Sequence, residues 1–257
     1  MARASAIAEH LDRLLRTKDV PDYPGAINGL QLASAGEIER VVTAVDFSTA
    51  TVLQAVRARA GLLIVHHGMF WGAPQPFRGP SYERLVALIE NDIAVYSSHL
   101  PLDLHPEIGN NVLLARELGL QPAAGFAHFK GIDIGVSGES DLDTHTLVDR
   151  ARAFAARCGG GLVVTPFETN RRTHSWGVCT GAGADSDTLH EAVERGIDTM
   201  IVGEGPHHTA VQAHDLGIVL IYAGHYATET LGVRALGGHV AATFGVTAEF
   251  LDAPTGL

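Results

Sequence analysis

Three well-separated stretches of the chain end an apolar run with side chains that bind metal ions. They are His66-His67-Gly68 after LLIV, His99-Leu-Pro-Leu-Asp103 after IAVYSS, and His225-Tyr-Ala-Thr-Glu229 after VLIYAG. Imidazoles and carboxylates brought together hold hard or borderline divalent cations. No cysteine takes part, which argues against a structural zinc site built on thiolates. Each stretch alone has a plainer reading. His66 and His67 can be a pair hydrogen-bonded to nearby backbone, Asp103 a turn or cap residue, and His225 and Glu229 a satisfied imidazole and an exposed acid. Three such stretches, each placed after a strand, make a metal site the better reading of the set.

Neighbouring side chains of a strand point to opposite faces, so His66 and His67 reach one site only if the backbone turns after them. Gly68 offers that freedom. Pro101 speaks against a regular helix between His99 and Asp103, which reads as a loop leaving a strand. His225 and Glu229 stand four residues apart where a strand becomes a helix. If the helix begins near His225 they share a face, with Glu229 in the first turn, where the helix dipole favours its ionised form. A carboxylate there can bridge two cations. His207 and His208 follow the turn Gly203-Glu204-Gly205-Pro206 and either line the same pocket or simply start a helix; Glu204 and His208 are assigned to the pocket. The other histidines are scattered and read as surface or packing residues. With no GxGxxG, P-loop or GxSxG motif, dinucleotide and P-loop nucleotide chemistry has no support.

The elements that must position these residues alternate. RVVTAVDF (40–47), LLIVHH (62–67) and IAVYSSHL (93–100) read as strands. Between and after them STATVLQAVRARA, SYERLVALIEND and NNVLLARELG read as helices, the first capped by Ser48. A loop at 69–80 carries Phe70, Trp71, Pro74, Pro76 and Phe77. Alternation of this kind predicts βαβ units and a largely parallel sheet, whose ligands bind beyond the carboxyl ends of its strands. Residues 121–130 (QPAAGFAHFK) break the rhythm and suggest a lobe boundary. GIDIGVSG, GLVVTPF and HSWGVCTG then read as strands, with LDTHTLVDRARAFAARCG a helix. Helix and strand alternate from there to TAEFLD.

A chain of 257 residues can form one large α/β domain or two lobes, each with a buried core. Its 46% hydrophobic and 18% charged residues are globular rather than disordered. The net charge of -11, from 18 Lys and Arg against 29 Asp and Glu, disfavours nucleic acid as a partner and helps attract cations. Cys158 and Cys179 are the only cysteines, with no CxxC, so a reducing cytoplasm fits. Ile7, Leu11, Leu14 and Leu15 follow helical spacing, and no run approaches the ~18 apolar residues of a membrane span.

VHHGMFWG, SSHLPLDLHPEIGNN and AGHYATE, in that order, resemble the motifs of the Nif-three-like family, whose members carry the name GTP cyclohydrolase 1 type 2 homolog. Asn28-Gly29-Leu30-Gln31 and Val202-Gly203-Glu204 also match its pattern. The resemblance implies a two-lobed α/β subunit with a dinuclear metal centre in the cleft. Residues 1–125, completed by 225–257, would form one lobe and 126–224 the other. It implies a homohexameric ring. His67 and Asp103 would hold one metal, His66 and His225 the second, and Glu229 both, with His99 beside them. Zinc, iron, manganese, cobalt or nickel would suit these ligands. Two functions of different class follow. One is a metal-dependent hydrolase of a small molecule or nucleotide, with His99, Glu204 or His208 moving protons. The other is a metal carrier or ring-shaped adaptor without catalysis. An aromatic loop that walls a pocket favours the first, and a closed ligand cage the second.

Overall fold

The computed structural model describes residues 2–71 and 75–257. In chain order, β1 (Ala2–Arg3) and α1 (Ala4–Leu14) lead to β2 (Gly29–Leu32), β3 (Glu37–Ile38) and β4 (Arg40–Asp46). Next come α2 (Thr49–Arg57), β5 (Leu62–His67), α3 (Pro80–Glu90), β6 (Ala94–Ser97) and the single turn α4 (Leu100–Asp103). The middle of the chain holds α5 (Asn110–Glu117), β7 (Ala124–Phe129), β8 (Ile132–Asp143), α6 (Thr144–Arg157), β9 (Val163–Val164) and β10 (Arg172–Cys179). After these come α7 (Ser186–Glu194), β11 (Thr199–Val202), α8 (His207–Asp215), β12 (Val219–Tyr222) and α9 (His225–Thr228). α10 (Thr230–Phe244) and β13 (Thr247–Phe250) are the last elements.

The chain forms two compact units, Met1–Leu102 with Gly232–Ala253, and Asp103–Leu231 with Pro254–Leu257. These limits differ from the expected 125 and 225. α5 packs on β8 and β10 rather than on the sheet it follows in sequence, and the chain changes unit within α4, between Leu102 and Asp103.

The first unit is built on a sheet of order β13-β4-β5-β6-β2, parallel except for the antiparallel edge strand β2. β4, β5 and β6 are apolar almost throughout because both of their faces are covered. On one face Val52 and Ala55 of α2 and Leu88 of α3 meet Val42, Ala44, Leu63, Val65 and Val95. A capping box between Ser48 and Thr51 closes the step from β4 into α2.

The second unit has a sheet of order β7-β8-β10-β11-β12-β9, in which β10, β11 and β12 run parallel and the others antiparallel. Leu114 of α5, Leu118 directly after it, and Leu147, Ala151 and Phe154 of α6 bury Trp176, Val178, Ile201 and Ile221 on one face. Leu189 and Ala192 of α7 and Ala213 of α8 cover Met200, Val202 and Leu220 on the other. Both units are therefore α/β, assembled from βα steps with helices flanking a sheet.

Several local expectations need correction. The break at 121–130 contains β7, an antiparallel partner of β8 whose Phe126 is buried in the core. GLVVTPF supplies only the two residues of β9. The segment after His99 is a helical turn, with Pro101 in the first turn, where no backbone donor is required. Gly68 lies outside the left-handed region; a Cβ there would strike the side chains of Gln31 and Ser97, so space rather than backbone freedom requires glycine. Among the described residues no helix is long and apolar enough to cross a membrane.

Candidate metal centre

In the first unit the parallel register sets the ends of β4, β5 and β6 side by side, with Asp46 opposite His67 and Val65 opposite Ser97. His66 is fully buried, and its Nδ1 lies 2.9 Å from the Ser98 carbonyl oxygen. A carbonyl only accepts, so Nδ1 carries the proton and Nε2 the lone pair. His67 donates in the same way from Nδ1 to Asp46 Oδ1 at 2.8 Å, and His99 from Nδ1 to Asp22 Oδ1 at 2.8 Å. The ring centroids lie 4.8 Å (His66–His67), 4.9 Å (His66–His99) and 5.7 Å (His67–His99) apart. One ligand nitrogen from each of the three lies within 4.8 Å of the others. Backing an imidazole with a carboxylate or carbonyl fixes its tautomer and raises its basicity, as at metal-bound histidines generally.

The support for His99 is itself braced. Asn28 accepts the His99 backbone N–H through Oδ1 at 2.7 Å and donates to Asp22 Oδ2 at 2.8 Å. Burial pushes the Asp22 carboxyl up, but the His99 and Asn28 contacts outweigh it and hold the group below its ordinary range. Trp71 meets the rings of His67 and His99 edge-on at 5.3 and 4.9 Å, and Tyr23 lies 5.9 Å from His99. Trp71 is 51% exposed and Tyr23 46%, so the histidines have aromatic walls that also face solvent. Pro74 of the same loop falls outside the described residues.

In the second unit β12 ends at Tyr222 and the chain turns into α9 through Gly224. Glu229 does not lie in the first turn of a long helix. It ends the four-residue α9 immediately before α10, yet the four-residue spacing still brings it to His225. His225 Nε2 is 3.2 Å from Glu229 Oε2, and His225 Nδ1 is 2.8 Å from Glu204 Oε1. Burial pulls the imidazole pKa down, but Glu229 and then Glu204 outweigh it and raise it to about 9. His225 thus lies between two carboxylates, and Glu229 is buried at 3% exposure. A proton shared by these atoms is one that a cation can replace.

Asp103 opens the second unit and is also buried. Asn110 Nδ2 donates to its Oδ1 at 2.7 Å. Asn111 Nδ2 reaches the Asp103 carbonyl at 3.4 Å, while Asn111 Oδ1 accepts from the Thr180 backbone at 2.8 Å. Gly181 follows, with φ +63°, its N–H donating to Thr228 Oγ1 at 3.1 Å and its carbonyl accepting from Glu204 N at 2.8 Å. His208 is exposed at the start of α8, and it is its neighbour His207 that lines a cavity with Glu204. The first unit thus gathers His66, His67 and His99, and the second gathers Glu204, His225 and Glu229, with Asp103 tied to the same strand ends through Asn111.

Sequence reasoning missed Asp22, Asp46, Asn110, Asn111 and Gly181. Only Asp46 carried a local signal, an acid closing the apolar strand RVVTAVD.

Residues 2–255 match the family Duf34/NIF3 (NGG1p interacting factor 3). The chain belongs to this family. A protein of Deinococcus radiodurans named GTP cyclohydrolase 1 type 2 homolog is 38% identical over 253 residues, covering 96% of this chain and 92% of its own. One of the same name from Pyrococcus abyssi is 39% identical over 257 residues, with 98% of each chain covered. Among solved structures, protein ybgI, of unknown function, superposes with a TM-score of 0.89 at 31% identity, over 99% of this chain and 100% of that one. The Thermus thermophilus protein TTHA1606 gives 0.84 at 34% identity, again over 99% and 100%. The resemblance drawn from three short motifs is therefore a membership that spans the chain.

Proposed function

We propose that His66, His67, Asp103, His225 and Glu229 together hold two divalent cations and that the protein is a metal-dependent hydrolase. The observation that carries this reading is the backing of the imidazoles: His66, His67 and His225 each have Nδ1 set against a carbonyl or carboxylate, which leaves Nε2 for a ligand at His66 and His67 and turns it to the Glu229 carboxylate at His225. Buried carboxylates at Asp103 and Glu229 supply the negative charge that two cations need. Cations so held supply Lewis acidity and lower the pKa of water.

The protein's own groups do the rest. On the family's pattern His67 and Asp103 would hold one cation, His66 and His225 the other, and Glu229 would serve both. Glu204 keeps His225 oriented. His99, braced by Asp22 and beside Trp71, would take and return a proton. The half-exposed Trp71 and Tyr23 favour a hydrolase over a carrier, since a pocket wall serves a substrate and a closed cage does not. The relatives' name points to hydrolytic opening of a purine ring, and a nucleotide is accordingly the first substrate to try. Elemental analysis of the purified protein, run beside a hydrolysis screen of nucleotides and phosphoesters in each metal, tests the reading. About two metals per chain with turnover is expected. Stoichiometric metal without turnover of any substrate would leave a carrier, and no metal would end both readings.

A further inference from the structure

The second unit contains a cavity of about 410 Å³ beyond the carboxyl ends of β11 and β12. Leu162, Val163, Pro206, Ala210 and Tyr222 form its apolar walls, Glu204 contributes a carboxylate, and His207 stands at the start of α8 in the same lining. Tyr222 has its hydroxyl engaged with Thr209 Oγ1 at 2.8 Å, so what it offers a ligand is its ring. Small-molecule sites have this character and this place in α/β folds: a volume of roughly 300–1,000 Å³, mostly apolar lining and a few polar groups that fix orientation.

We propose that this cavity binds the planar nitrogen heterocycle of a substrate, with ring and exocyclic N–H groups donating to Glu204. Glu204 is 45% exposed, and one oxygen accepts from His225 Nδ1 at 2.8 Å. A carboxylate has about four lone-pair sites, so the same group can accept from a ligand as well. The apolar walls select a body that sheds little hydration on entry. The acid repels phosphate and carboxylate, which leaves any anionic tail of the ligand outside the cavity. A carboxylate also pairs with two adjacent N–H donors, the pattern of guanine and pterin edges, and meets an acceptor nitrogen at the same edge of adenine. Glu204 then joins the ring site to His225. That link gives the cavity its catalytic meaning only if the hydrolase reading holds, whereas binding itself does not require it.

The test is equilibrium dialysis of guanosine and adenosine against the full-length protein, with metal content measured on the same samples. Saturable guanosine binding at about one per chain is expected, with adenosine weaker by about tenfold or more. Val163→Trp and Ala210→Trp should each fill the cavity and reduce guanosine binding at least tenfold. Val163 is 66% exposed, so its replacement does not threaten the core. Val211→Trp, one residue along α8 and 51% exposed, lies outside the cavity lining and should leave binding intact. Glu204→Gln should narrow the preference for guanosine over adenosine. Guanosine binding that survives both filling variants, or equal binding of the two nucleosides, overturns the proposal. Metal uptake and hydrolysis without saturable guanosine binding would overturn this subsite alone. Guanosine binding without metal would uphold it and remove the hydrolase.

Discussion

Replacing Gly181 by alanine tests how tightly the second unit is built around Glu229. The backbone there has φ +63°, and hydrogen bonds to Thr228 Oγ1 and from Glu204 N prevent it from moving aside. A Cβ would lie 3.3 Å from His225 Nε2 and closer still to Glu229 Oε1. Holding an alanine in the left-handed region costs roughly 1 kcal/mol. Turning Glu229 off its rotamer adds roughly 0.5–1.5 kcal/mol. Weakening the charge-assisted contact to His225 adds roughly 1.5–3 kcal/mol more. The sum is about 3–5.5 kcal/mol, a fall in Tm on the order of 10 °C for a chain of this size. Gly196 provides the control, because it has φ +69° and nothing within 4 Å of its Cβ position. Gly196→Ala should therefore lose only the backbone part, about 1 kcal/mol. Differential scanning calorimetry on both variants, with metal content measured in parallel, gives the comparison. Gly181→Ala should also lose most of its metal, and Gly196→Ala none. Equal Tm values and equal metal contents would refute the claim that Glu229 sets the requirement for glycine at 181.

Glu229→Gln should lower the metal-to-protein ratio more than Glu204→Gln does, because an amide keeps the shape but cannot offset two cations; equal losses would mean the ligand roles are misassigned. Burial, His239 and Arg13 all lower the pKa of His10, whose Nε2 lies 2.8 Å from His239 Nε2. The unfolded chain therefore binds this proton more readily. The cost is absent above the unfolded value of about 6.5 and grows as pH falls from there through the lowered folded value. Tm measured from about pH 8 to about pH 5 should fall less steeply for His10→Gln than for the parent, and parallel curves would remove His10 from the acid limb. Light scattering should give a homohexamer, as the family resemblance implies, and a mass of one or two subunits at all concentrations would defeat that expectation.

The kinds of element, and the residues that could do chemistry, are readable from the order of residues alone. Apolar runs of strand length ending in His66-His67, His99 and His225 are legible because side-chain periodicity is a property of neighbouring residues, and so is the Ser48 cap on α2. The partners that make those histidines usable are another matter. Asp46 stands 21 residues from His67 and Asp22 stands 77 from His99, and Glu204 stands 21 from His225. Nothing local links such pairs; strand order and register do, and these are set by which faces bury best against which helices. The same holds for α5, which follows β6 in sequence but packs with β8 and β10, and for β7, whose weak alternation becomes a strand only beside β8. Gly181 shows the difference most directly. In sequence it is one glycine in CTGAGA, and only the folded chain brings Glu229 and His225 against it, leaving no room for a side chain.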